Sequence, residues 1–403
     1  ETRMSVRYRR ELVIFSTADW DNPFWTNKQH MAVLFARHGY RVLYVDSLGL
    51  RQPMLHAGDL RRMARRLWKS LPFPRQARPN LWRISPLALP FHSHRAVRAF
   101  NARLLYATLC WHLRLLNMRR PLVWTYNPVI ADLCAALPHS GIVYHCVDDL
   151  RAAPHIDAAT IARGEERLGR IADLCFATSP ALRERMSGLF PRTVLEPNVC
   201  DQALFDTARM CLSEPEELRG IPRPRLLFVG ALSEYKVDFS LMEAVARRLP
   251  EAHWILIGPE GEGQPDSRRP PVLPNVHVLG PRTHGRLPYY MAHADAAVLP
   301  TPHNAYTAAM FPMKFFEYLA AGLPVVSSDL PALREFAALC FLTDGEEGFT
   351  ATLRRVLAGE RRDAAAIEAA CRRYSWEARF VRMERDIEAL QCCSRDGEAV
   401  CCL

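Results

Sequence analysis

The sequence has no long hydrophobic run, and this absence excludes one class of protein. No stretch approaches the roughly 18 to 20 consecutive apolar residues that a membrane-spanning helix needs. The residues that follow Met4 also lack the apolar segment of a secretory signal peptide. We therefore expect a cytoplasmic protein that does not span a membrane.

The sequence also lacks the cysteine spacing of a disulfide framework or a metal site. Its 12 cysteines include no CxxC pair. Several stand singly in apolar segments, which is typical of buried thiols in a reducing compartment. The tail has two Cys-Cys pairs within residues 392–402, without a nearby histidine or a regular ligand spacing. We therefore expect no bound metal and no cofactor.

Acidic residues are outnumbered by basic ones. The chain has 52 Lys and Arg against 43 Asp and Glu, a net charge of +9 and a pI near 9.1. This charge indicates an anionic partner, which could be nucleic acid, a membrane surface or a phosphorylated substrate. Nucleic acid is not expected, because no recognised nucleic-acid-binding motif accompanies the charge.

The positive charge is dense in residues 51–82, where Met, Leu, Trp and Phe are interleaved with basic residues and no Asp or Glu follows Asp59. A cationic amphipathic segment of this kind suits a helix that lies on an anionic membrane surface. A charged helix pair that covers a sheet would have the same pattern, and both interpretations remain open. A long basic helix is predicted next, in residues 95–120. The arginines that would face the membrane are Arg61, Arg62, Arg65 and Arg66.

Short apolar segments alternate with amphipathic ones along the chain. ELVIFST (11–17) and RVLYVDS (41–47) are predicted strands on either side of a helix that Thr26 begins and Gly39 ends. Near-continuous apolar strands in β-α-β order are typical of a parallel, doubly wound sheet. The second half repeats the pattern with predicted strands in RLLFVGAL, WILIGPE, VHVLGP, DAAVLP and PVVSS.

We therefore predict an α/β protein with two doubly wound parallel-sheet (Rossmann-like) domains facing across a cleft. The predicted parts are a first domain (4–205), a Pro-rich linker (206–224), a second domain (225–374), a helix crossing back to the first domain (375–391) and a disordered tail (392–403). Ligands of such sheets bind beyond the carboxyl ends of the strands. The cleft is therefore the predicted site.

The segment MFPMKFFEYLAAGLPVVSSD (310–329) places Lys314 and Glu317 three residues apart. Residues at this spacing share one face of a helix, so both charges can bind one small ligand with two chemically different ends. A solvent-exposed ion pair on an amphipathic helix would have the same spacing. The motifs around the pair favour the ligand.

Three runs in the second half resemble the donor domain of GT-B glycosyltransferases of group 1, a family-4-like type. The runs are VGALSEYKVD, LPNVHVLGPRTHGRLPYYMAHADAAVLP and PMKFFEYLAAGLPVVSSDLPALREF, all within residues 225–340. The resemblance implies the GT-B fold and a nucleotide-sugar co-substrate, with a UDP-sugar favoured. It also implies that no metal is required.

The resemblance implies roles for particular residues. Glu317 would accept hydrogen bonds from the two ribose hydroxyls, for which a carboxylate offers acceptors. Lys236 and Lys314 would bind the diphosphate. Arg282 would lie over the base and Tyr306 would touch the donor sugar, although a solvated loop arginine and an ordinary loop aromatic would give the same pattern.

Two departures separate this chain from the usual family pattern. Ala231 stands where the family has an arginine after the glycine of VG, and Ala309 replaces the first of its two glutamates. Both losses remove usual contacts to the phosphates and the donor sugar. With Met313 and Lys314 in the donor-binding segment, the pattern is similar to transferases of exopolysaccharide and teichuronic acid assembly. It leaves retention or inversion of the anomeric centre open.

Candidates for the catalytic base lie in the first half. GIVYHCVDDL ends in Asp148 and Asp149, and one of them could accept the proton of an acceptor hydroxyl. The resemblance favours Asp148, whereas a turn or N-cap aspartate would give the same pattern. Asp19 and Asp21, after the first strand, are further candidates. His145 is predicted to be buried in its strand.

The function implied is transfer of a sugar from a nucleotide-sugar to a lipid-linked or polysaccharide acceptor. The protein would act as a peripheral protein at the cytoplasmic face of an anionic membrane. Two other interpretations stay open. One is a GT-B sugar-nucleotide epimerase that needs no acceptor, and the other is a non-catalytic partner whose donor site is degenerate.

Overall fold

The computed structural model describes residues 10–22, 25–47, 73–86, 95–154, 156–210, 212–261 and 268–399, leaving out the side chains of 95–101 and 391–399. The chain divides into two units. The first holds residues up to 177, 182–195 and the chain from 384 onward, and the second holds 178–181 and 196–383. Each unit has its own largely parallel sheet, which confirms the predicted two-domain α/β architecture.

The sheet of the first unit is built from apolar strands. Within the described residues they are β1 Arg10–Phe15, β2 Tyr40–Val45, β3 Arg75–Arg78, β4 Leu81–Ile84, β5 Leu122–Thr125, β6 Gly141–Cys146, β7 Leu174–Ala177 and β8 Thr193–Leu195. Their order is β3-β4-β2-β1-β5-β6-β7-β8. Neighbours are parallel except the antiparallel β3 and β4. The central strands are buried on both faces, which explains their continuous apolar sequences.

The first helix begins and ends at the residues predicted. Thr26 precedes it and donates its backbone N–H to Gln29 Oε1 at 3.1 Å. Gly39 follows it with φ +85°, a conformation that favours glycine. Among the described residues of this part of the chain, the helices are α1 Asn27–Arg37, α2 Arg95–Leu115, α3 Ala131–Ala136, α4 Ala158–Gly169 and α5 Pro180–Ser187. No helix among the described residues is long and apolar enough to cross a membrane.

The end of the basic segment is a β-hairpin, which corrects the helical interpretation there. Strands β3 and β4 turn at Asn80, whose φ of +61° is one that asparagine tolerates. Leu81 and Ile84 are buried in the first unit, which gives β4 a reason to join the sheet. Arg75 and Arg78 are exposed on the edge strand β3, where charge opposes pairing with another chain. Arg61, Arg62, Arg65 and Arg66 lie outside the described residues.

The second sheet contains one strand more than predicted. Its strands within the described residues are β9 Arg225–Val229, β10 His253–Ile257, β11 Val276–Val278, β12 Ala296–Leu299, β13 Val325–Ser328 and β14 Phe341–Thr343. They are parallel in the order β11-β10-β9-β12-β13-β14. Three residues are too few to show a strand period, so the sequence did not indicate β14. Leu226 and Leu227, adjacent in β9, belong to different apolar clusters, because alternate strand residues face opposite sides.

The helices of the second unit connect these strands. In the part of this unit that the structure describes, they are α6 Gln202–Asp206, α7 Phe239–Arg248, α8 Leu287–Ala292, α9 Ala305–Ala309, α10 Phe315–Ala320, α11 Gly345–Leu357, α12 Ala364–Arg373 and the start of α13 Trp376–Ala399. Helix α13 belongs to the second unit up to Met383 and to the first from Glu384. Tyr40 donates to Glu384 Oε1 at 3.1 Å in the first unit. The helix extends to Ala399, into the segment predicted as a disordered tail.

The predicted linker, residues 206–224, lies within the second unit. It contains single helical turns at Thr207–Arg209 and Glu216–Leu218. Arg225, at the start of β9, donates to the backbone oxygen of Leu218 at 2.8 Å and pairs with Glu214 at 2.6 Å. These contacts hold the segment against β9. The chain therefore changes unit earlier, between residues 195 and 196.

Candidate functional site

Glu317, in the first turn of α10, is held by two side chains. Lys314 places Nζ 2.8 Å from Glu317 Oε2. His284, in the single turn that follows β11, places Nε2 3.3 Å from Glu317 Oε1. The side chain of Glu317 is 6% exposed and that of Lys314 is 20% exposed. The pair is therefore not the solvent-exposed ion pair that was one interpretation of its spacing.

The surroundings of Glu317 keep it ionised. Burial alone would raise the pKa of this carboxyl group, because an anion loses hydration inside a protein. The charge of Lys314 and the hydrogen bond with His284 outweigh burial and hold the pKa of Glu317 below its ordinary value. A carboxylate can accept about four hydrogen bonds. This buried anion can therefore accept bonds from two neighbouring hydroxyl groups.

Aromatic packing fixes the position of α10. Phe311, Phe315 and Phe316 pack against one another and against Phe336. Tyr318, next to Glu317, accepts the backbone N–H of Val229 at 2.7 Å and so joins the helix to the end of β9. Because α10 connects β12 to β13, its first turn lies at the carboxyl edge of the sheet. The packing of the apolar residues of FFEYLA thus holds Glu317 at this edge of the sheet.

His284 was not singled out from the sequence. It belongs to PRTHG, the motif in which Arg282 was chosen, and it precedes Glu317 by 33 residues. Its ring packs edge-on against Phe205 with centroids 5.1 Å apart. The sequence did offer one signal for His284, because it stands two residues after Arg282 in the same motif. Its contact with Glu317 depends on the sheet order, which the sequence does not display.

Lys236 and Tyr306, both predicted donor-site residues, come together at the same edge. Lys236 follows β9, and its Nζ lies 5.1 Å from the ring centre of Tyr235 and 5.5 Å from that of Tyr306. Asn304 donates to the backbone oxygen of Tyr235 at 2.9 Å and begins α9. These contacts bring the loops after β9 and β12 together, since the two strands are neighbours. Tyr306 itself is buried.

Arg282 is engaged with the protein. Its Nε donates to Tyr290 Oη at 2.7 Å, one terminal nitrogen donates to Leu279 O at 2.8 Å, and the other lies 2.9 Å from Glu217. These bonds tie the loop after β11 to the turn at Glu216–Leu218. They favour an anchoring role over the solvated arginine, and stacking on a base would have to occur with these bonds in place.

The remaining donor-site positions lie in the same segment of the chain. Met313 is half-buried beside Lys314. Ala309 is buried, and its backbone oxygen accepts Ser179 Oγ at 2.6 Å. Asn198 donates to Phe311 O at 2.8 Å and fixes the loop before Lys314. The position of the missing first glutamate is therefore part of the packed interior.

Two glycines allow the ends of β9 and β10 to meet. A Cβ on Gly258 would lie 1.8 Å from the backbone oxygen of Gly230, closer than any real contact. The backbone N–H of Gly230 donates to Ile257 O at 2.9 Å. This close approach sets the path of the loop that carries Ala231 and Lys236.

The adjacent aspartates of the first unit have different surroundings. Asp149 Oδ1 lies 3.3 Å from Arg185 and 3.5 Å from Arg151. Arg185 also pairs with Glu165, whose pKa is raised by burial although Arg185 acts in the opposite direction. Asp149 thus belongs to an ion-pair network. Asp148 is half-buried after β6.

His145 is fully buried, as the sequence predicts, with Nδ1 3.3 Å from Tyr126 Oη.

The aspartates after β1 have partners on neighbouring strands. Asp19 Oδ1 accepts the backbone N–H of Ser47 at 3.2 Å, and Asp21 pairs with Arg83. Asp46, at the end of β2, was not proposed as a site residue. It is buried, accepts the N–H of Trp20 at 2.7 Å, and has a pKa raised by burial. Its bonds hold the loop after β1. Among the described residues no group of three or more His, Cys, Asp or Glu could hold a metal ion.

Known proteins share this sequence pattern and fold. The family described as glycosyl transferases group 1 matches residues 223–374. A Bacillus subtilis (strain 168) protein assigned to teichuronic acid biosynthesis as glycosyltransferase TuaH is 27% identical over 230 residues, 54% of this chain. The chain spans 57% of that relative's length.

Solved structures show the same fold over nearly the whole chain. Sucrose-phosphate synthase from Thermosynechococcus elongatus has a TM-score of 0.68 at 16% identity, over 96% of this chain and 100% of that one. Anabaena HepE in complex with UDP-glucose has a TM-score of 0.64 at 14% identity, over 94% of this chain and 99% of that one.

The two parallel-sheet units have the GT-B fold of these glycosyltransferase structures. Residues 223–374 match glycosyl transferases group 1, which confirms the resemblance predicted from the motifs of that region.

Proposed function

We propose that the protein transfers a glycosyl group from a nucleotide-sugar, with a UDP-sugar favoured, to a lipid-linked or polysaccharide acceptor. The observation that carries this proposal is Glu317, a buried carboxylate held ionised by Lys314 and His284 inside the group 1 region. Solved structures of a neighbour, Anabaena HepE, hold UDP and UDP-glucose. A nucleoside diphosphate has the hydroxyls and the charge that this arrangement would bind.

The reaction would exchange one bond at the sugar's anomeric carbon. The bond to the diphosphate oxygen breaks, and a bond to the acceptor oxygen forms. Lys236 and Lys314 would stabilise the negative charge that develops on the departing diphosphate, which is electrostatic catalysis without a metal ion or a cofactor. Glu317 would hold the ribose and so fix the position of the reacting carbon.

The proton of the acceptor hydroxyl needs a base, for which we propose Asp148. Its neighbour Asp149 is committed to Arg185 and Arg151. These two ion pairs occupy the carboxylate of Asp149, so we assign it the structural role and Asp148 the role of base. In this proposal Asp148 accepts the proton, and Asp149 holds the loop through its ion pairs.

The exposed face of α2 supports a membrane-bound acceptor. Trp111 and Leu115 are 51% and 43% exposed, whereas Leu109 and Leu113 on the other side of the helix are buried. Arg103 and Arg114 are exposed on the same side as Trp111, and the helix has no acidic residue. Aromatic and basic groups on one face suit the headgroup region of an anionic bilayer. We propose that this face rests on the cytoplasmic side of such a membrane.

A non-catalytic protein with a degenerate site is the second candidate. Ala231 and Ala309 favour it, since both replace residues that grip the donor elsewhere in the family. The ionised Glu317 favours the enzyme. Turnover of a UDP-sugar with a lipid-linked or polysaccharide acceptor separates the two, and conversion of a UDP-sugar without any acceptor would indicate an epimerase instead.

Titration calorimetry with UDP and the Glu317→Ala variant tests the donor site. Losing hydrogen bonds to a charged acceptor costs about 1.5 to 3 kcal/mol, so UDP affinity should fall by roughly tenfold or more. A variant of the exposed pair on α7, Arg247→Met, should bind UDP like the wild type. Equal affinity of Glu317→Ala and wild type would place the ribose elsewhere, and no binding by wild type at millimolar UDP would end the proposal.

A further inference from the structure

We infer that binding of the donor breaks the Lys314–Glu317 ion pair, because each of the two residues exchanges its partner for a group of the donor. His284 is then the positioning residue that keeps Glu317 in place when Lys314 leaves. This inference rests on the proposed function, because it assigns a regulation to the same donor site. It concerns the two oxygens of one carboxylate, which have separate partners.

The geometry divides the carboxylate into a fixed half and an exchangeable half. Oε1 lies 3.3 Å from His284 Nε2, and Oε2 lies 2.8 Å from Lys314 Nζ. The His284 ring is packed edge-on against Phe205, so it has a fixed orientation. Lys314 is a point charge on a flexible four-carbon stem that is partly exposed. Lys314 is thus the partner that can move.

This exchange of partners requires both the ribose and the diphosphate of the ligand. Ribose hydroxyls can replace Lys314 as donors to Oε2, and a diphosphate can replace Glu317 as the anion beside Lys314. A nucleoside alone would break the ion pair and leave Lys314 without an anion. Inorganic pyrophosphate alone would leave the buried Glu317 with one partner, which is costly for a buried charge. The intact nucleoside diphosphate gives a partner to both residues. The ion pair therefore disfavours binding of the nucleoside alone and of pyrophosphate alone.

His284 acts on the ligand through Glu317. If it orients the carboxylate, its loss weakens the binding of the ribose part and does not act on the diphosphate. Uridine and UDP should then lose affinity by the same factor in His284→Ala. In a Glu317→Ala background, His284→Ala should have almost no further effect, because the residue it positions is absent.

The experiment is calorimetry of uridine and UDP with wild type, Lys314→Met, His284→Ala, Glu317→Ala, the double variant of His284→Ala with Glu317→Ala, and the control Arg247→Met. In Lys314→Met, we expect UDP affinity to fall about tenfold or more, because a charge-assisted contact to the diphosphate is lost. Uridine affinity should rise, because uridine no longer has to break the pair. Arg247→Met, which removes the cation of an exposed i,i+4 pair, should leave both affinities unchanged.

The outcomes separate this inference from the proposed function. If Lys314→Met lowers the affinity for uridine as much as the affinity for UDP, or leaves the affinity for uridine unchanged, the exchange of partners is refuted. The donor site would then still be supported by a loss of UDP affinity in Glu317→Ala. If His284→Ala weakens UDP further in the Glu317→Ala background, the positioning role is refuted. Wild type that binds no UDP overturns both.

Should Lys314→Met fail to fold, Lys314→Gln takes its place with the same expectations. A melting curve for each variant establishes that it is folded before titration.

Discussion

Replacing Lys314 with methionine tests what controls the charge of Glu317. The substitution removes the cation 2.8 Å from Oε2 and leaves a buried carboxylate with His284. Breaking a buried ion pair on one side costs about 3 to 5 kcal/mol when both groups are fully buried. Because Lys314 is 20% exposed and His284 retains one oxygen, we expect a loss of about 2 kcal/mol in unfolding free energy at neutral pH.

The loss should depend on pH with a definite sign. In the wild type the pKa of Glu317 is held below its ordinary value, so its stabilising contribution is present at neutral pH and is lost as pH falls through the folded-state pKa. In Lys314→Met, burial is no longer offset by the lysine and raises the pKa of Glu317. The ionised group is then destabilising, and the variant recovers as pH falls through that raised pKa. The deficit against wild type should therefore shrink on acidification.

Urea unfolding at about pH 7 and about pH 5 measures this difference. The double variant Lys314→Met with Glu317→Gln removes the buried charge and should regain most of the lost free energy. Arg247→Met removes an exposed partner of Glu243 and should cost at most about 0.5 kcal/mol at either pH. A deficit of the same size at both pH values would refute this account of the carboxylate.

Three further outcomes follow from the structure. Trp111→Ser should reduce sedimentation with anionic vesicles by at least about threefold, and unchanged sedimentation would remove α2 from the membrane contact. Asp148→Asn should lower the turnover number by about 100-fold or more with UDP affinity retained, whereas turnover similar to wild type would exclude it as the base. Gly258→Ala should destabilise the second unit by about 3 kcal/mol or more, because the added Cβ clashes with the backbone of Gly230. The control Gly280→Ala, at a position with open space and φ +73°, should cost only about 1 kcal/mol. Equal losses of stability in the two variants would show that the clash is relieved.

The sequence predicted most elements because their signals are local. The first helix needed only Thr26, Gln29 and Gly39, which are near neighbours in the chain. The interpretation of the basic segment was incomplete because the place of β4 in the sheet depends on β2, whose residues precede it by a long interval. Asp46 was missed for the same reason, since its burial depends on partners at Trp20 and Ser85.

The shared helical turn of Lys314 and Glu317 could be predicted from the sequence alone, because a separation of three residues fixes their angle about any helix axis. The alternation of strands and helices that gives two parallel sheets was equally visible in the sequence. The burial of Glu317 and the contact of His284 with its second oxygen become visible only in the folded chain. That contact depends on the order in which β11, β10, β9, β12 and β13 lie side by side, which is set by packing between residues far apart in the chain.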